Sequence, residues 1–350
     1  TEIYTGEDTL SLHDALPIYQ VDRDYGMRLA TTPPAEDGPV WMVNLMKYRE
    51  VADYADGRES TVTGQEADDL YTPLDSLAAV GAAPVFFGDV DQQLLGDDTV
   101  WDRIGVVKYP TRKSFIDMQS LPSFRESHQH KEAGMESTIV MGTQPMATPE
   151  TPATIEPVDW ADVPYPPTDD DGPVVVVHVL RFHDVNAADV TPTHMEQYQS
   201  KAAKVALRHG VRINGWFAVE GTIVGDGRAW HQVRFNEFPS KAAFMAVVTD
   251  PARLEAADDD VLRARPLREH HRLGARLGQQ VVEQSGQLVG LHAMVGLLIQ
   301  EIGAVARHPH VLQRTGHPSL ILVRQKSGPA PALDDLRDDV GVFAMVSLLH

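Results

Sequence analysis

The sequence predicts an α+β protein made of two tandem copies of one βαββαβ unit. Three observations carry that prediction. The first is an internal repeat: DGPVWMVNLMKYRE (37–50) aligns with DGPVVVVHVLRFHD (171–184) at an offset of 134 residues, and residues 81–122 align without a gap on 210–251 at an offset of 129. The second is what the repeat keeps. The shared residues are turn formers and large core side chains: Gly81/Gly210, Gly96/Gly225, Asp97/Asp226, Trp101/Trp230, Pro110/Pro239, Phe115/Phe244 and Pro122/Pro251. Punctuation that stays in step over such a length marks one architecture used twice. The third is that each copy switches between strand and helix spacing in the same order.

Taken in order, residues 40–48 form an apolar, β-branched run opened by a Gly-Pro turn, which predicts a strand. Residues 66–80 carry Leu70, Leu74, Leu77 and Val80 at helical spacing and end at Gly81, a C-cap. Residues 84–90 and 100–109 read as two strands joined at the GDD turn, where Asp tolerates left-handed backbone. Pro110 ends the second of them, and Thr111 and Ser240 are placed to N-cap the following helix of each copy. That helix runs through Phe115 and Met118 to about Ser120, and STIVMG (137–142) closes the unit as a last strand. The order is that of the ferredoxin-like split motif. Residues 37–145 are the first repeat and 172–262 the second. Residues 146–171, rich in Pro, read as a semi-rigid linker.

Composition narrows the function. The 350-residue chain has a net charge of −20, no Cys and 43% apolar residues. The acidity argues against nucleic acid and anionic membrane surfaces, which need clustered Lys and Arg. No apolar run reaches the ~20 residues of a membrane span. The absence of Cys removes disulfides, thiolate metal sites and thiol nucleophiles, and fits a cytoplasmic protein.

Both ends stand apart. Residues 1–18 have no Lys or Arg and four acidic residues, so they are no secretory signal. Their back-translation resembles a short-read sequencing adapter carrying an index, and they are expected to be an artefact. The native chain then starts near Tyr19, with residues 19–36 an N-terminal arm. Residues 263–350 hold 10 Lys+Arg against 7 Asp+Glu, reversing the charge of the rest, and the break falls where the second repeat should finish. Three readings stay open for this tail. It is an appended helical segment, with Leu277, Val281, Leu288, Leu291, Val295, Leu298, Ile302 and Val305 at helical spacing. Or SLILVRQ (319–325) or VGVFAMVSLL (340–349) returns as the missing last strand. Or the reading frame is lost near residue 260. Residues 1–18 and most of 263–350 are expected to pack poorly on the repeats, and neither segment is expected to hold a functional residue.

At VNLMKY, WDRIGVVKYPTRKSF and HQHKEAG the first repeat resembles the domain-of-unknown-function 1330 family of the dimeric α/β-barrel superfamily; the second resembles it more loosely. The resemblance implies half-barrels that pair face to face over a cleft. Two copies in one chain then imply an intrachain pseudo-dimeric α/β barrel, in a monomer or a homodimer.

Site candidates come from comparing the copies. Asn44 aligns with His178, each a polar group in an apolar strand. Both are read as candidate catalytic or anchoring groups facing a cavity, with a satisfied core Asn or His as the alternative. An imidazole near its ordinary pKa can act as a base. Tyr71 can turn a hydroxyl toward the cleft, and Trp101 and Trp230 are candidates for ligand contact or core packing. His130 resembles a family position before the last strand. His128 and His130 do not share a helix face, and no third ligand accompanies them with Glu132, so no metal is expected. No cofactor is expected, and no G-x-S-x-G, H-E-x-x-H, P-loop or Rossmann fingerprint occurs. The reading is a small-molecule-binding protein with its ligand in the cleft between the repeats. Two alternatives stand. One is a cofactor-independent oxygenase, isomerase or cyclase acting on an aromatic or polyketide-like substrate. The other is a non-catalytic scaffold whose cleft is filled by Phe86, Phe87, Trp216 and Phe217.

Overall fold

The computed structural model describes residues 20–96, 99–148, 158–182, 188–254 and 319–325. Ahead of the first repeat come β1 (Gln20–Val21) and α1 (Arg23–Thr31). Repeat 1 follows as β2 (Val40–Tyr48), α2 (Gly64–Leu70), α3 (Leu74–Ala79), β3 (Ala83–Leu95), β4 (Arg103–Tyr109), α4 (Arg112–Gln119), α5 (Pro122–Gly134) and β5 (Met135–Pro145). Repeat 2 comprises β6 (Val174–Leu180), α6 (Thr193–Arg208), β7 (Arg212–Gly225), β8 (Gln232–Phe238), α7 (Lys241–Thr249) and β9 (Ser319–Gln325).

Local chemistry explains most boundaries. Thr111 and Ser240 cap α4 and α7 by accepting from the N–H groups of Ser114 and Ala243. Gly81 and Gly210 end their helices in the left-handed region, at φ of 71° and 75°. The helix expected over 66–80 is two helices instead. Thr63 and Glu66 form a reciprocal capping box that starts α2 at Gly64, and Pro73 interrupts the run before α3. The break turns Leu70 and Leu74 off the buried stripe, leaving them 57% and 54% exposed.

Four strands of each repeat lie side by side, in the order β5-β2-β4-β3 and β9-β6-β8-β7. The second order repeats the first, strand for strand. Edge β3 pairs antiparallel with β9, and edge β5 pairs antiparallel with β7, so the two sheets close into one eight-stranded antiparallel barrel. Closure removes the edges that each half would expose alone. The fourth strand of repeat 2 therefore lies at 319–325, beyond the boundary at 262 read from the sequence. Of the readings of the tail, the returning strand is the one the described residues carry, and Ile321, Leu322 and Val323 are 0–2% exposed. The helical spacing of 277–305, the 340–349 stretch and residues 1–18 lie outside the described residues.

Strand alternation sorts the barrel into two environments. Val43, Leu45, Ile104, Val106, Ile139, Met141 and their counterparts Val175, Val177, Val179, Val233 and Phe235 form one apolar cluster inside. The opposite face of each strand looks out toward the helices, as Met42 does among Leu77, Met118 and Phe124.

The halves are locked by pseudo-symmetric polar contacts. Asp37 accepts from the N–H groups of Arg112 and Lys113, at 2.8 and 3.2 Å, and Asp171 accepts from those of Lys241 and Ala242, at 2.8 and 3.0 Å. This is the structural duty of the repeated DGPV: its Asp caps the second helix layer of each copy. The same helix starts reach across the seams. Arg112 makes a bidentate pair with Glu220 on β7, at 2.7 and 2.5 Å, and Lys241 pairs with Asp91 on β3 at 2.5 Å.

The arm and the linker are both partly docked. Tyr25 of α1 lies across Gly142 and Gly221, which face each other at the β5–β7 seam; a Cβ there would come within 1.8 and 2.3 Å of the tyrosine. Trp160 of the linker is buried and donates to the Gly210 carbonyl at 2.7 Å.

Two outcomes follow. Gly221→Ala should lower stability by about 2 kcal/mol through the clash with Tyr25, measured by chemical denaturation. Burial works against the charge of Glu220, but Arg112, Gln144 and Arg28 outweigh it and hold the carboxyl below its usual range. Its contribution is therefore complete above the unfolded value, near pH 4.3, and is lost as pH falls through the depressed folded value. Glu220→Gln should cost about 3 kcal/mol at pH 7. The gap between wild type and variant should close on acidification below about pH 4.

Candidate functional site

The shared interior of the barrel is occupied by apolar side chains, including Phe86 and Phe217, which both meet Phe235 edge-on at 5.2 and 5.9 Å. Phe87 and Trp216, expected with them in a filled cleft, are on the outer face, over Arg103 and Arg234. The polar groups gather on the outer faces too, beneath the helices. Each repeat has one such niche.

In repeat 1 the niche is built on the outer face of β4 and β2, under α2 and α5. Arg103 opens β4 with its side chain wholly buried. Its Nε donates to Asp89 at 2.7 Å, and its Nη1 donates to Asp68 at 3.0 Å and Asp69 at 2.8 Å. The Tyr48 hydroxyl donates to Asp68 at 2.5 Å. Burial opposes the Arg103 charge, but Tyr48, Asp89 and Asp69 outweigh it and raise the guanidinium pKa. Its Nη2 is buried without a hydrogen-bond partner. Lys131 of α5 meets only the Tyr71 ring, at 5.3 Å, and its ammonium has no acceptor among the described residues. Burial pushes the Lys131 pKa down; Asp68 opposes and Arg103 adds to the shift. His128 stacks on Phe124 at 4.7 Å and stands edge-on to Tyr71 at 5.6 Å, with its Nδ1 unpartnered. Burial first, then Lys131, pulls the His128 pKa down to about 3.

In repeat 2 the niche lies on the outer face of β8 and β6. His178 is the register partner of Arg234, as Asn44 is of Gly105. Arg234 is 3% exposed and lies 4.1 Å over Trp216, whose Nε1 donates to Asn236 at 3.1 Å. Burial first, then Arg234 and Arg253, brings the His178 pKa down to about 3.

The predicted residues divide accordingly. Asn44 and His178 occupy equivalent places on β2 and β6, both half-buried. Both sit on the outer face, among residues whose neighbours Val43, Leu45, Val177 and Val179 point inward. Asn44 donates to the Met42 carbonyl of its own strand at 3.1 Å. Tyr71 lines the repeat-1 niche. His130 is held aside by the Tyr54 hydroxyl at 2.8 Å from its Nδ1. Trp101 and Trp230 are buried in the barrel interior, the latter with an unpartnered Nε1. Sequence reasoning missed Arg103, Lys131, Asp68 and Arg234. The available signal was a lone Arg within each apolar hairpin strand, RIGVV and QVRF.

Among the described residues no three His, Asp or Glu side chains gather as a metal site, and no helix is long and apolar enough to cross a membrane.

No protein-family model matches the chain, and no curated protein does. Several solved structures are similar to it. A protein of unknown function from Rhodopseudomonas palustris, RPA0582, is 26% identical over 37% of this chain and 97% of its own, with a TM-score of 0.32. An anthrone oxidase-like protein is 13% identical over 85% and 98%, with a TM-score of 0.37. A chlorite dismutase from Candidatus Nitrospira defluvii is 11% identical over 63% and 83%, with a TM-score of 0.36. The architecture of this chain is the dimeric α/β barrel, with both halves on one polypeptide.

At pKa values near 3, His128 and His178 are neutral at physiological pH, which makes them hydrogen-bonding groups rather than efficient bases. A histidine whose folded pKa is depressed binds its proton more readily in the unfolded state. Stability should therefore fall as pH drops from about 6.5 toward the folded value. Heteronuclear NMR should show both imidazoles untitrated from pH 8 to about 4.5. His178→Gln should flatten the stability profile between pH 6.5 and 5.

Proposed function

We propose that the protein binds a small organic molecule in the repeat-1 niche, outside the barrel, between the sheet and α2 and α5. The observation that carries this reading is a buried donor without an acceptor, Arg103 Nη2, in a niche that also holds the half-buried Lys131 over the Tyr71 ring, with His128 beside it. An unmade hydrogen bond on a buried donor costs about 1–3 kcal/mol, and more when the group is charged. A ligand presenting oxygen acceptors would remove that cost. The filled interior supports moving the ligand from the cleft between the repeats to the outer face, and it supports the scaffold reading for the interior alone.

One observation favours catalysis. Lys131 combines a lowered pKa with a neighbouring guanidinium that keeps a free donor. Such a pair suits proton abstraction beside a carbonyl, with the amine taking the proton and Arg103 Nη2–H receiving the developing enolate oxygen. This is the chemistry a cofactor-independent isomerase, cyclase or oxygenase needs at an aromatic or polyketide-like substrate. We place the first repeat with the domain-of-unknown-function 1330 family on the motifs VNLMKY, WDRIGVVKYPTRKSF and HQHKEAG, and the second, a looser match, with it through the internal repeat. The chain acts as a monomer whose copies satisfy each other's edges.

Native mass spectrometry of the purified chain tests the reading. A co-purified molecule of a few hundred daltons should be present in wild type and absent from Lys131→Met. A wild type and variant of equal mass apart from the substitution, with no molecule recovered by soaking, would remove it. Where turnover is found, the rate should rise with pH through the depressed Lys131 pKa, and Lys131→Arg should abolish it while folding normally.

A further inference from the structure

The two copies differ in a coordinated way. At the offset of 129 residues that holds over 81–122, Arg103 and Asp89 fall on Gln232 and Ala218, and neither offset of the repeat, 129 or 134, puts an acid opposite Asp68 or Asp69. The whole ionic cluster of repeat 1 is thus missing from repeat 2, arginine and carboxylates together. At the offset of 129, Gly105 has become Arg234. One guanidinium and three acids have been exchanged for one guanidinium and none.

Arg234 is as enclosed as a core residue, and its donors meet only neutral acceptors. Nε donates to Gln232 Oε1 at 3.0 Å, and Nη2 donates to Gln232 Oε1 and, at 3.5 Å, to Thr191 Oγ1. The Gln199 amide, its oxygen turned to the guanidinium, accepts from Nη1 and, at 3.1 Å, from Nη2. Trp216 covers one face. No carboxylate lies within ion-pair distance of Arg234 among the described residues. Burial accordingly pulls its pKa down to about 10, with no acid to restore it. Hydrogen bonds to amides satisfy geometry but leave the charge uncompensated, and a buried uncompensated charge is among the costliest features a fold can keep.

We infer that the repeat-2 niche is a second ligand site, distinct from that of repeat 1, which takes the carboxylate of a small organic monoanion on Arg234. The planar fork of the guanidinium matches a carboxylate in two parallel hydrogen bonds. The uncompensated charge of Arg234 calls for a negative partner, and Arg253, close enough to lower the His178 pKa, adds to the positive field. His178, the register partner of Arg234, is half-buried on the same outer face. Gln199 stands on α6 where it can turn its amide: it accepts from Arg234 when the site is empty and donates N–H to an incoming carboxylate. The neutral imidazole of His178 adds a further N–H.

The test uses the full chain and two probes of the same shape, benzoate and benzamide. The Nε–H signal of Arg234 in 15N NMR reports the site directly. Benzoate should shift it saturably, with a dissociation constant in the millimolar range or tighter, and benzamide should not. Gln199→Glu builds a counter-ion against Nη1 and Nη2. It should preserve or raise the unfolding midpoint and weaken benzoate by about tenfold or more. Arg234→Met should abolish the response. Should that variant fail to fold, the wild-type titration still decides. A signal that benzoate leaves unmoved, that benzamide moves equally, or that Gln199→Glu leaves as responsive as wild type would overturn the inference. The Lys131→Met variant should bind benzoate as wild type does, which separates this site from the one in repeat 1.

Discussion

Two ion pairs reach across the seams of the barrel, and the arrangement of everything else depends on them. Arg112 and Lys241 are the first residues of α4 and α7, and each holds a carboxylate, Glu220 or Asp91, on the second strand of the other repeat. Each helix start is fixed from behind by an aspartate, Asp37 or Asp171, that bonds its free N–H groups. The charge pair, the cap and the strand seam form one connected unit on each side. With the seams locked, the inner faces of both sheets must meet, and β-branched and aromatic side chains fill that space. The outer faces are then the places left for polar chemistry.

Those outer faces show how duplication can divide labour. Repeat 1 keeps an arginine neutralised by acids and surrounds it with a lysine, tyrosines and a histidine. Repeat 2 drops the acids, moves its arginine two residues along the same strand face, and leaves it facing neutral amides. Both copies retain the strand order and the cross-seam pairs, because barrel closure constrains both alike. The niches escape that constraint: each is covered by its own helices, so one can change without disturbing the other.

The internal repeat was enough to predict two α+β units, their strand order and the caps at Thr111 and Ser240. These depend on local spacing and on turn residues that carry their reason with them. The pairing of Asn44 with His178 was equally legible, since it follows from alignment alone. Which way those side chains point was not: a strand residue has two faces, and only the partner sheet decides which is inside. Closure put Val43 and Val177 in the interior and turned Asn44 and His178 toward the helices. Nor could spacing foresee that Arg103 and Asp68, 35 residues apart, meet beneath one helix; it offered SLILVRQ as one of several readings of the tail, and only pairing with β6 and β3 selected it. Period and punctuation are properties of neighbours in the chain. Burial, charge compensation and the last strand are properties of neighbours in space, and those exist only once the barrel has closed.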